Sequence, residues 1–102
     1  MKIITPTRLR TYWTTYRHAK SSLEHWLVLA RAAEWFHFPD VRRTFPSADL
    51  VTVSSGRTVV IFNIGGNKYR LITAIHYNTR KVFVLRFLTH VEYDSQGWKE
   101  DL

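Results

Sequence analysis

Six consecutive residues, Thr89-His90-Val91-Glu92-Tyr93-Asp94, carry an imidazole, a phenol and two carboxylates. Such groups take up and release protons, the imidazole near neutral pH. They close a stretch, Leu50 to Val91, that contains no Asp or Glu but does contain Arg57, Lys68, Arg70, Arg80, Lys81 and Arg86, with His76 and His90 beside them. Cations without neighbouring carboxylates make a surface on which a polyanion can rest. Fixed cations beside proton-transfer groups are also what phosphodiester chemistry requires.

A metal-based route is not favoured. The histidines, at 18, 25, 37, 76 and 90, form no i, i+4 pair, there is no cysteine, and the carboxylates cluster only at Glu92 and Asp94. That pattern offers no metal-ligand set and implies no cofactor. Without a metal-generated hydroxide, the substrate's own ribose 2′-OH is the natural nucleophile, which favours RNA over DNA. Arg70, Lys68 and Arg86 are the candidate phosphate stabilisers, and His90 and Tyr93 the candidate proton-transfer groups. Arg70 can grip two phosphate oxygens, whereas Lys68 could also surrender a proton. A positive field would lower the pKa of Tyr93 and Lys68. Plainer roles exist for each: a loop hydrogen bond for His90, a half-buried core position for Tyr93, and a solvated or capping position for Glu92 and Asp94.

The elements that must position these groups follow from hydrophobic spacing. At 102 residues, 45% hydrophobic and 15% aromatic, the chain fits one folded domain spanning residues 1–102. Its net charge of +7 and pI near 10.2 suit DNA, RNA, an anionic membrane face or an acidic protein. The apolar runs are too short to span a membrane, and the start of the chain lacks the apolar core of a secretion signal; a cytoplasmic protein is expected. Leu9, Tyr12, Trp13, Tyr16 and Ala19 form one helical stripe, and Leu23, Trp26, Leu27, Ala30 and Ala33 a second. They predict a helical hairpin over about 7–38, with a Ser21–Glu24 capping box and an end forced by Pro39.

A connector is expected over 39–49, then a sheet over about 50–90 and a tail over 91–102. The strand candidates are Leu50–Val53, Thr58–Ile64, Tyr69–Tyr77 and Val82–Leu88, joined by tight turns that favour antiparallel pairing. The prediction is an α+β fold, two helices on one face of a small antiparallel sheet, with a short C-terminal helix or tail. If the last hairpin loop is Asn78–Arg80, Arg70 falls opposite Leu88, flanked by Arg86 and His90 on one surface. A loop of two or four residues would place Arg70 and His90 on opposite faces.

Two segments bear a resemblance: Phe62-Asn63-Ile64-Gly65-Gly66-Asn67-Lys68-Tyr69-Arg70-Leu71-Ile72 and Val84-Leu85-Arg86-Phe87-Leu88-Thr89-His90-Val91-Glu92-Tyr93-Asp94. Together they resemble HigB-type toxins of the RelE-like superfamily, the messenger-RNA interferases of type II toxin–antitoxin pairs. Arg43-Thr44-Phe45-Pro46-Ser47-Ala48-Asp49 is similar to that family's link between helices and sheet. The resemblance covers about residues 3–94. It implies a RelE-like α+β fold, metal-independent cleavage of mRNA, often on translating ribosomes, and inhibition by a helix-turn-helix antitoxin through which alone DNA would be engaged. It raises Arg70, His90, Tyr93 and Asn67 as site residues, with Asn67 orienting substrate and Lys68 the least secure. Arg57, Arg80 and Lys81 remain edge charges or RNA-backbone contacts. Two other classes fit the same charge pattern: a non-catalytic RNA-binding module and a basic protein-interaction domain.

Overall fold

In the computed structural model, which describes residues 1–102, a five-stranded sheet carries helices on one face. The strands are β1 (Lys2–Ile4), β2 (Asp49–Thr52), β3 (Thr58–Ile64), β4 (Tyr69–His76) and β5 (Lys81–Thr89), in the order β1-β5-β4-β3-β2. The last four are antiparallel neighbours, but β1 pairs with β5 in parallel, so the sheet is mixed rather than antiparallel throughout. The sequence did not announce β1: Ile3 and Ile4 are too few to show a period. Parallel pairing follows because α1 and α2 form the crossover between β1 and the rest of the sheet.

Helices α1 (Pro6–Thr15) and α2 (Lys20–Ala32) match the two predicted stripes, with a 3-10 turn, Arg17–Ala19, between them. Leu9, Leu23, Trp26 and Ala30 are fully buried. Two boundaries differ from expectation. No capping box forms at Ser21 and Glu24, because the 3-10 turn runs straight into α2 and places Ala19 at the cap. And α2 ends at Ala32, while Pro39 opens a third helix, α3 (Phe38–Thr44), inside the expected connector. Proline lacks an N–H that the first helical turn would leave unpaired anyway, so it starts a helix as readily as it stops one.

The helix-covered face holds the larger core. Val60, Phe62, Ile64, Leu71, Val82, Val84 and Phe87 meet Leu9, Leu23, Trp26, Ala30 and Trp35 there. Phe62 is ringed by Trp26, Phe45 and Trp35 at centroid distances of 5.3, 5.1 and 6.1 Å. The opposite face holds a smaller buried cluster, Val59, Ile61 and Ile72 with Val53, under Trp98 from the tail. That tail is ordered as α4 (His90–Asp94) and a 3-10 turn, Gly97–Glu100.

The β4–β5 hairpin corrects the predicted register in an instructive way. Its loop is four residues, Tyr77–Arg80, with His76 opposite Lys81. Yet Arg70 still lies opposite Leu88, because Thr73 pairs with Val84 while Ile72 pairs with Arg86, leaving Leu85 unpaired as a bulge. The bulge resets the alternation: Val84 and Phe87 both face the helices, and Leu85 and Leu88 both pack on the other cluster. Arg8 of α1 supports the kink, its Nη1 donating to the carbonyls of Val84 (3.0 Å) and Leu85 (3.4 Å).

Candidate active site

Where the open face meets α4 and the α3–β2 connector, a cleft of about 290 Å³ is lined by Arg42, Ser47, Ala48, Asp49, Ile61, Asn63, Arg70 and Tyr93. Arg70 and Asn63 are cross-strand partners on β4 and β3. Tyr93 arrives from α4, which begins where β5 ends. Thr89 caps that helix: its hydroxyl accepts from the Glu92 N–H (3.2 Å) while the Glu92 carboxylate accepts from the Thr89 N–H (2.9 Å). Trp98 then stacks on Tyr93 at 5.3 Å and donates its indole N–H to the Tyr93 carbonyl (3.0 Å). A five-residue helix is thereby fixed at both ends.

Arg70 is the centre of the arrangement. Its guanidinium lies 5.4 Å from the centroid of the Tyr93 ring, a cation–π distance. Its Nη1 donates to the carbonyls of Asn67 (3.0 Å) and Tyr69 (3.2 Å). No carboxylate pairs with it, and its remaining donors have no protein acceptor. The Gly65–Lys68 turn that supplies the Asn67 carbonyl depends on positive φ at Gly65 and Gly66 (63° and 70°), where a Cβ would be strained. From the same turn, the Lys68 carbonyl accepts from the His90 N–H (3.0 Å). Asn67 and Lys68 therefore contribute to this geometry through their backbones, while their side chains are exposed.

The phenol of Tyr93 does not behave as a positive field alone would dictate. Burial pushes its pKa above 10.0, Asp49 and Asp94 push the same way, and Arg70 opposes them. The phenol therefore keeps its proton at physiological pH and has an O–H to offer. Asp49 precedes the acid-free stretch by one residue, so the carboxylate-free block in the sequence does not make a carboxylate-free cleft.

The other sequence candidates separate. His90 is not on a strand extension of β5; it opens α4, about one turn before Asp94, and its Nε2 lies 3.0 Å from the Asp94 carboxylate. It neighbours Tyr93 at i, i+3 on the helix and stands half-exposed outside the cleft lining. Arg86 sits on the ladder opposite Ile72, with its Nη1 donating to the Leu85 carbonyl (2.9 Å), and does not line the cleft. The cleft thus gathers Arg70, Tyr93 and Asn63, with Arg86 and His90 outside its lining. Arg57, Arg80 and Lys81 lie at the far end of the sheet, separated from the cleft by most of the eight-residue β4, about 20 Å at a strand's rise. Arg80 there lies over the ring of Phe36 at 5.3 Å.

Arg42, Ser47, Asp49 and Asn63 were not singled out as site residues by the sequence. Asn63 carried a usable signal, as the lone polar residue inside the apolar run Val59–Ile64. No three of the His, Asp and Glu side chains come together as a metal-ligand set, and no helix is long and apolar enough to cross a membrane.

A mixed sheet with helices on one face and a cationic cleft under a short C-terminal helix defines the RelE-like class of small α+β proteins. Residues 19–96 match the family described as HigB toxin, RelE-like toxic component of a toxin-antitoxin system. The chain belongs to that family. The "mRNA interferase toxin HigB" of Escherichia coli strain K12 is 30% identical over 95 residues, covering 92% of this chain and 88% of its own length. Proteins called "mRNA interferase HigB" from Escherichia coli O157:H7 and Shigella flexneri show the same identity and coverage.

Proposed function

We propose that this chain is the toxin of a type II toxin–antitoxin pair, an endoribonuclease that cleaves mRNA on translating ribosomes in the cytoplasm and so arrests translation. The observation that carries the reading is the half-buried, unpaired guanidinium of Arg70 held over Tyr93 at the mouth of the cleft. An arginine whose free donors have no carboxylate to satisfy them is ready for a phosphate.

In this reading the ribose 2′-oxygen attacks the adjacent phosphorus and the bond from phosphorus to the 5′-oxygen breaks. A 2′,3′-cyclic phosphate and a free 5′-hydroxyl result. Arg70 stabilises the charge that builds on the non-bridging oxygens, where one well-placed donor contributes roughly 10²–10³-fold. Tyr93, kept neutral by burial, donates to the departing 5′-oxygen or to the phosphorane. His90 takes the 2′-proton: Asp94 occupies its Nε2 and leaves Nδ1 as the free nitrogen. Asn63 and the Asn67 turn orient the strand. Lys68 and Arg86 contribute positive field rather than contact. Leu50 and Val91 are exposed apolar side chains, each within two residues of a cleft-lining group. They support a protein inhibitor, a helix-turn-helix antitoxin, covering the cleft.

The test is induced expression with transcript-end mapping, for the wild type and for Arg70→Ala. New ends with 5′-hydroxyls and arrested growth are expected of the wild type only. Intact messages and normal growth with the wild type would overturn the reading, and salt-sensitive RNA binding without cleavage would assign a binding module instead.

A further inference from the structure

Beside the cleft lies a second, larger concavity of about 410 Å³. Its walls are the first turns of α2 (Ser21, Ser22, His25, Trp26) and the segment joining α3 to β2, and its floor is the end of β3. It exists because β2 pairs with β3 only as far as Ile61, leaving the edge at Asn63 and Ile64 uncovered. Ser47 and Asn63 line both concavities, so the two adjoin at the edge of β3.

We propose that this groove is a nucleotide subsite, holding the base next to the phosphate that Arg70 grips; the proposal rests on the ribonuclease reading above. The groove's volume falls within the range of pockets that hold small ligands, about 300–1,000 Å³. Its polar groups are hydroxyls, an amide and an imidazole, with no carboxylate among them. They match the edge of a base and do not repel its phosphates. Trp26 supplies an independent observation. It is 1% exposed, and its indole Nε1 has no hydrogen-bond partner. An indole can only donate, and every base offers acceptors. That nitrogen is itself covered, with under 1 Å² accessible, so a base reaches it only when the groove wall that Trp26 lines gives way.

Solution NMR on the full chain tests this directly. The probe is a short oligoribonucleotide with a 2′-deoxy substitution at the cleavage position, so that it binds without being cut. The Trp26 indole resonance is assigned from its disappearance in Trp26→Phe. The expected result is a shift of that resonance and of the Ser22 and His25 amides. Ser22→Tyr, which fills the groove, should abolish the shift and weaken binding by about fivefold or more, the worth of one base contact. The exposed His25→Ala, which has no core to disrupt, should change which base flanks the cut sites in transcript-end maps. An indole resonance that RNA leaves unmoved overturns the proposal. So does one that moves only when a partner protein is added, and so does an unchanged flanking-base preference in both variants. Should the wild type cut no RNA at all, the ribonuclease reading fails on that result, while the indole titration still decides the groove.

Discussion

The two faces of the sheet are made by the same strands and serve opposite ends. The helix-covered face interlocks Phe62, Trp26, Trp35 and Phe45 in a continuous aromatic cluster. The open face has a small apolar patch under Trp98 and, beside it, a cleft where a guanidinium, an amide and a phenol stand without protein partners for all their polar atoms. Burial is saturated on one side and held back on the other. Stability is concentrated on the side away from Arg70, and the cleft can keep an unpaired cation because the helix-covered core carries the fold.

That division can be broken from either side. The largest effect is expected from Phe62→Ala, which should cost about 3–5 kcal/mol of stability, as large-to-small changes in packed cores do. Urea denaturation measures it, and a loss below about 1 kcal/mol would mean that the aromatic cluster is not what holds the fold. Arg70→Ala should do the reverse: cleavage falls roughly 10²–10³-fold while the unfolding free energy stays within about 0.5 kcal/mol. Tyr93→Phe keeps the ring under Arg70 and against Trp98, and should lower cleavage by about 10²-fold. Because the wild-type phenol is neutral, the pH–rate profile should show no rise toward pH 10; a rise that vanishes in Tyr93→Phe would make Tyr93 a base.

The same burial predicts an alkaline limit to stability. Tyr12, Tyr77 and Tyr93 are all raised above 10.0, each chiefly by burial. The folded chain then holds phenolic protons that the unfolded chain releases, so stability declines as pH climbs past about 10 and through the folded values. Melting followed by circular dichroism at stepped pH, with tyrosinate absorbance alongside, checks the direction. The smallest effects belong to Arg57→Ala, Arg80→Ala and Lys81→Ala, at the far end of the sheet. Each should change cleavage less than about twofold, as distant exposed charges do. A tenfold loss in any one would extend the RNA path along the whole open face.

Much of the fold was legible because helices and strands announce their periods. The α1 and α2 stripes and the β3, β4 and β5 runs were each long enough to show them. What escaped was short or depended on distant partners. Three residues of β1 have no period, and Pro39 reads as a stop when only the backbone ahead of it is considered. For the site, Arg70 and Tyr93 were recoverable as chemistry, but their neighbours Arg42, Ser47 and Asn63 come from three separate segments that only the packing of α3 and β2 brings together. The acid-free block misled by a single position. Asp49 ends the chain's first half and, through β2, reaches the cleft anyway. Parity counting also placed His90 on a strand that Thr89 had already ended by capping a helix.

Leu85 carries a consequence for how such chains vary. Between Arg70 and Leu88 the path can be laid out as a three-residue loop with unbroken pairing or as a four-residue loop with one unpaired residue, and both bring the arginine to the same place. Natural drift is then free to exchange one layout for the other, provided that loop length and strand irregularity change together. Among relatives, the quantity expected to persist is their difference, with neither the turn nor the kink preserved for its own sake.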